Sequence, residues 1–156
     1  MKPRRAHARI FAVLALLAAN AALPADEGAN AFGDPFLQVT GAIAGCSLPP
    51  PPPMSDQQLR AEAHSRAERG TRCYQSGRCR LANSYLYDKE IIPRVRQAIL
   101  FDGRYSDTSI WVEGKRRWVW LKGCVRTPAE AVALKKLVSN IDDVEIVISE
   151  LVVKPR

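Results

Sequence analysis

The chain has 156 residues, a length that suits one domain with extensions. Its 23 basic and 16 acidic side chains give a formal net charge of +7. Four of the basic residues and no acid lie in residues 1–25, so the remainder carries only 19 basic against 16 acidic side chains. That small excess gives no argument for nucleic-acid binding.

Residues 1–25 have the three parts of a secretory signal peptide. A basic start is followed by an apolar run over residues 10–23, which is too short to span a bilayer as a helix. Small residues then offer cleavage after Ala25 or after Ala31. We therefore expect an exported, periplasmic protein.

The cysteines fit an oxidising compartment. An even number in an exported chain predicts two disulfides, and the sequence leaves three connectivities open. The four are Cys46, Cys73, Cys79 and Cys124. Residues 43–46 also resemble a lipobox, so a lipid anchor on Cys46 is a minority alternative. The cysteine spacing does not predict a metal site.

A Pro-rich and Cys-containing extension covers residues 26–87. Its five prolines at 49–53 predict a stiff spacer. Ser55 with Gln58 three residues later is typical of a capping box and predicts a helix at about 55–69. We expect the glycine that follows to end that helix.

The last third of the chain is more regular. Ile91, Val95 and Ile99 recur every four residues and predict the apolar stripe of a helix. Pro93 lacks an amide donor, so we expect it in the first turn. Asp102-Gly103 should end this helix.

Two alternating segments, 109–113 and 118–125, predict strands joined by a hairpin turn that contains Gly114 and basic residues. Thr127 and Glu130 then mark the start of a second helix. Its predicted buried stripe is Ala131, Leu134, Val138 and Ile141. A final strand rich in Val and Ile is predicted for residues 144–153.

The order helix, strand, strand, helix, strand over residues 88–153 resembles the BON domain. Residues 119–125 resemble the family's V-x-L-x-G-x-V strand, and Asp88 with the stripe that follows resembles its first helix. Asp143 stands where the family often has glycine, and Cys124 is not a fixed residue of the family. The resemblance implies an α+β fold, with a three-stranded mixed sheet and two helices on one face.

The family includes osmotically induced periplasmic proteins and repeats in envelope proteins. The resemblance therefore implies a non-catalytic module that binds phospholipid surfaces or bridges envelope components. We also expect that the protein is not an enzyme and needs no cofactor, because the sequence shows neither a nucleophile elbow nor a phosphate-binding loop. His64 is the only histidine left after cleavage, and we expect it to be solvated.

Alternation along the strands assigns side chains to the two faces of the sheet. The favoured register places Val147, Leu151 and Val153 of the last strand towards the helices. The opposite register, with Val144, Ile146 and Ile148 inside, stays open. In the favoured register the outer face is unusually apolar, and its members are Trp111, Trp118, Trp120, Ile146 and Ile148.

Something should cover such a face, since soluble monomers rarely leave large apolar patches bare. Cys124 lies on it, and the other three cysteines lie in the extension. If two disulfides form, one must tie Cys124 to the extension, which we expect to fold across this face.

We expect the protein to bind anionic phospholipid through the basic hairpin and the neighbouring aromatic face. The rival hypothesis is a structural adaptor that binds another envelope or secretion-system protein. The oligomeric state is left open. The predicted contact residues are Trp111, Lys115, Arg116, Arg117, Trp118, Trp120 and Lys122.

Overall fold

The computed structural model describes residues 30–49 and 51–156, so the predicted signal peptide lies outside the described residues. A short 3-10 helix covers Ser84–Tyr87. The main elements in chain order are β1 (Phe36–Gln38), α1 (Asp56–Gln75), α2 (Asp88–Asp102), β2 (Ser109–Lys115), β3 (Trp118–Val125), α3 (Pro128–Ser139) and β4 (Ile146–Val153).

The sheet has four strands in the order β1-β2-β3-β4. β2 pairs antiparallel with both β1 and β3, whereas β3 and β4 are parallel. The α+β class and the mixed sheet are as predicted, but the prediction of three strands is wrong. The fourth strand comes from the extension, where a segment of only three residues gave no readable alternation.

The extension widens the sheet, because β1 pairs with the otherwise free edge of β2. Backbone bonds run from the amide of Gly114 to the carbonyl of Pro35, 2.9 Å, and from the amide of Ala42 to the carbonyl of Thr108, 2.9 Å. Leu37 pairs with Val112 on the helix side and packs against the core. This part of the extension therefore adds an edge strand, instead of folding across the outer face as predicted.

The core lies between the sheet and the two helices α2 and α3. The predicted stripe of α2 is fully buried, and so are Leu134 and Val138 of α3. Val147 is 5% exposed and Leu151 packs against the core, which confirms the favoured register of β4. Val153 is 38% exposed, however, so its predicted place inside is wrong.

Helix α1 begins as predicted, because both reciprocal bonds of the Ser55–Gln58 capping box are present. It continues past Gly70 to Gln75, so the predicted end at the glycine is wrong. Gly70 is buried against Asn83, and a Cβ there would lie 2.4 Å from the Asn83 side chain. The glycine serves close packing rather than helix termination.

Helix α2 ends as predicted at Gly103, whose φ of 75° suits glycine. Pro93 lies in its second turn and not in the first, since the helix already starts at Asp88. The Thr127 side chain caps α3 by accepting from the amide of Glu130. The Glu130 carboxylate accepts from the amide of Arg126.

Two disulfides join the four cysteines, which confirms the predicted number. Cys46–Cys124 ties the extension to the end of β3, as the face assignment required. Cys73–Cys79, with a sequence separation of 6, ties the last turn of α1 to the segment that follows the helix. A lipid attached to Cys46 would need the same sulfur that forms the first disulfide.

Candidate binding surface

The hairpin between β2 and β3 turns at Arg116 and Arg117, which have φ of 59° and 67°. Residues other than glycine seldom adopt this left-handed conformation. Both amides donate to the two carboxylate oxygens of Asp88, each at 2.7 Å. A carboxylate at the start of α2 therefore holds the turn in place.

Gly114 lies within β2 and not in the turn, which corrects the prediction. A Cβ at this position would lie 2.6 Å from the Ile92 side chain of α2. The glycine thus lets the hairpin approach the start of α2, where the Asp88 carboxylate reaches the turn amides.

Asp88 has no exposed surface. Burial raises the pKa of its carboxyl from 3.8 to about 6, because desolvation outweighs the two backbone hydrogen bonds that favour the charged form. Nothing in the sequence assigned Asp88 this role. The sequence showed only that Asp88 stands at the start of a predicted helix, and it did not show that this helix start lies next to the hairpin.

Three of the four predicted basic contact residues are engaged within the protein. Lys115 pairs with Glu62 of α1 at 2.7 Å, and Lys122 pairs with Glu113 at 2.7 Å. Arg117 donates from Nε to the carbonyl oxygen of Asp143 at 2.9 Å. Its Nη1 contacts both sulfurs of the Cys73–Cys79 disulfide, and its guanidinium lies over the Tyr87 ring.

Arg116 differs from those three. Within the described residues its guanidinium has no acidic partner, and it lies over the Trp118 ring at 4.5 Å from the centroid. The rings of Trp118 and Trp120 are 6.0 Å apart. The structure therefore brings Arg116, Trp118 and Trp120 together, which we call the hairpin cluster.

Trp111 lies farther along the outer face, opposite Lys122 in the strand register. Its ring lies over Gly123, where a Cβ would approach it to 2.8 Å. All three tryptophans are partly buried. The outer face is thus less open than the alternation of the strands predicted.

Helix α1 lies beside the hairpin cluster and forms a cleft with it. The cleft has a volume of about 200 Å³. Its lining residues are Glu62, Arg69, Tyr85, Lys115, Arg116, Trp118 and Trp120. Sequence reasoning missed Glu62, Arg69 and Tyr85, because nothing in a single sequence indicated where α1 would dock.

An arginine of α1 fixes the position of that helix. The two terminal nitrogens of Arg66 donate to the carboxylate of Asp34 at 2.8 and 2.7 Å. Its guanidinium lies over the rings of Tyr85 and Phe32, at 3.7 and 4.7 Å from their centroids. Arg66 therefore joins α1 to the segment before β1 and to the short 3-10 helix.

Other features bear on the class of the protein. Among residues 30–49 and 51–156, no group of His, Cys, Asp and Glu side chains could hold a metal ion. The described helices include none long and apolar enough to cross a bilayer.

The fold is an α+β module of two helices packed on a mixed sheet, to which an N-terminal extension adds a strand and a helix. The sequence model of the BON domain matches residues 87–155. The chain therefore carries a BON domain, as the resemblance indicated. No curated protein sequence matches the chain.

Proposed function

We propose that this protein is a non-catalytic, periplasmic binding protein of the cell envelope that associates with anionic phospholipid surfaces. The hairpin cluster carries the proposal. Arg116 is a basic side chain without an acidic partner in the described part of the chain, and it lies directly beside two tryptophans. Tryptophan prefers the membrane interface, and guanidinium groups pair well with lipid phosphates.

The disulfides support the periplasmic part of the proposal. All four cysteines are paired, and such bonds form and persist in oxidising compartments. The predicted signal peptide supports the same location. Intact-mass measurement of the protein from a periplasmic extract tests both features, because export should remove the leader and leave no free thiol.

Membrane affinity of this kind should be modest and sensitive to salt. A basic residue near an anionic surface contributes about 1 kcal/mol, and ions screen that attraction. We expect the oxidised protein to co-sediment with anionic vesicles at low salt and to be released at high salt. Neutral vesicles should retain little of it.

A charge reversal at the hairpin cluster tests the assignment. Arg116→Glu should abolish the salt-sensitive binding, whereas Arg96→Glu on the exposed side of α2 should reduce it only slightly. If Arg116→Glu leaves co-sedimentation intact, the hairpin cluster is not the membrane contact.

A structural adaptor for another envelope protein is the second candidate. Strand β4 favours it, because it is an edge strand of the sheet and its Ile146 and Val152 side chains are exposed. Phe101 at the end of α2 is 95% exposed as well. An apolar interface of this kind should resist salt, so capture of a partner that survives high salt would favour the adaptor.

A further inference from the structure

Two arginines from separate parts of the chain line the cleft beside the hairpin cluster. Arg69 comes from α1 in the extension, and Arg116 comes from the hairpin of the BON domain. In the described part of the chain neither guanidinium pairs with a carboxylate. The extension and the BON domain therefore each contribute an uncompensated positive charge to one space.

The acid in the cleft does not neutralise them. Glu62 already pairs with Lys115 at 2.7 Å and lies 3.8 Å from Arg66. The cleft lining has three cations, Arg69, Lys115 and Arg116, against this one carboxylate. The cleft therefore attracts an anion.

The walls of the cleft restrict what that anion can be. Trp118, Trp120 and Tyr85 supply aromatic surface, and stacking on Trp118 restrains Arg116. At about 200 Å³ the cleft is smaller than the sites that hold drug-sized ligands. Guanidinium groups match the oxygens of a phosphate group, which they can bind with paired hydrogen bonds.

We propose that this cleft binds a single phosphate group of an anionic headgroup, and that Arg69 of the extension supplies the second guanidinium. The proposal rests on the proposed function and makes it more specific. Diffuse attraction to a charged surface depends on the number of basic residues, whereas a discrete site depends on their position.

Helix α1 offers a matched pair of variants. Arg69 and Arg72 are both exposed arginines on this helix, and neither has an ion-pair partner within the described ranges. Arg69 lines the cleft and Arg72 does not. Arg69→Ala and Arg72→Ala therefore remove the same charge, and neither should disturb folding, which thermal melts of both variants check.

The two variants are compared for binding to vesicles that contain phosphatidylglycerol at low salt. A discrete site predicts that Arg69→Ala weakens binding by about tenfold, as expected for loss of a charge-assisted hydrogen bond. Arg72→Ala should then weaken binding by less than about twofold, because Arg72 does not line the cleft and ions screen a charge that is held away from the lipid surface. Equal losses in the two variants would overturn the discrete site and leave the proposed function standing.

A titration with glycerol 3-phosphate separates a lipid headgroup from a soluble phosphate. Saturable change in tryptophan emission that Arg69→Ala weakens and Arg72→Ala does not would support the cleft, even if the wild-type protein bound no vesicles. In that case the lipid function fails and the phosphate site remains. If neither vesicles nor glycerol 3-phosphate bind to the wild-type protein, both proposals are wrong.

Discussion

The BON domain and the N-terminal extension are each stabilised by a different kind of interaction. The BON domain buries a continuous apolar core between its sheet and the helices α2 and α3. The extension adds a few buried side chains, such as Ile43 and Tyr87. Specific links also fix it, namely the Cys46–Cys124 disulfide, the pairing of β1 with β2 and, within the extension itself, the Arg66–Asp34 ion pair. Periodicity in a sequence shows the first kind of stabilisation and does not show the second.

The largest expected effect comes from breaking the link between the two regions. Replacing Cys46 and Cys124 by serine opens a loop with a sequence separation of 78. The chain-entropy relation predicts a loss of about 4.5 kcal/mol in the free energy of unfolding. The short Cys73–Cys79 loop should cost only about 2 kcal/mol by the same relation. Denaturant melts of the two double variants measure this, and a larger loss for the short loop would contradict the comparison.

The second effect tests the hairpin turn inside the BON domain. Asp88→Ala leaves the amides of Arg116 and Arg117 without their acceptors. We expect a loss of about 3 kcal/mol, because buried unsatisfied donors keep their full desolvation cost. Glu90→Ala, which removes a half-exposed acid from the same helix, should cost less than about 1 kcal/mol. A loss for Asp88→Ala no larger than this control would show that the carboxylate does not hold the turn.

The third effect is a pH dependence with a defined sign. The pKa of Asp88 is raised to about 6, so the folded protein takes up this proton at a higher pH than the unfolded chain. The proton-linked part of its contribution to stability is therefore fully present below pH 3.8 and is lost as the pH rises through 6, whereas the hydrogen bonds to the turn amides remain. When the pH is lowered from 7 to 4, the free energy of unfolding of the wild-type protein should rise by about 2 kcal/mol relative to that of Asp88→Asn. Melts of both proteins at matched pH isolate this residue, and a constant difference would refute the assignment.

The smallest effect is expected at the ion pair that fixes α1. Arg66→Ala should cost about 1 to 2 kcal/mol, because Asp34 then keeps a largely buried carboxylate without its partner. Arg66→Lys keeps the charge but loses the forked pair of hydrogen bonds. Hydrogen exchange should show faster exchange in α1 and unchanged protection in β3. Faster exchange across both regions would mean that the extension and the BON domain unfold as one unit.

The sequence predicted most of the BON domain. The bounds of β3 at 118–125 agree with the structure, because small and branched apolar residues at every second position form a buried row there. The edge strand β1 was missed, since Leu37 and Val39 alone do not define an alternation. The end of α1 was misjudged because Gly70 packs against Asn83, a contact that depends on how the chain folds back.

Only part of the candidate site could be predicted from the sequence. Arg116, Trp118 and Trp120 lie close together in sequence, so their proximity follows from the hairpin. Arg69 and Glu62 lie far from the hairpin along the chain, and only the docking of α1 brings these two side chains to the cleft. Neither the stacking of Arg116 nor the pairing of Lys115 is visible in a residue pattern.

The most direct test of the membrane proposal is quenching of tryptophan emission by anionic vesicles whose acyl chains carry bromine. We predict quenching at low salt that high salt reverses. A double variant that combines Trp118→Phe with Trp120→Phe should lose most of the quenching. Trp111→Phe should leave the quenching largely unchanged, because Trp111 lies away from the hairpin cluster. Emission that the brominated lipids never quench would contradict the proposal that the hairpin cluster meets the membrane.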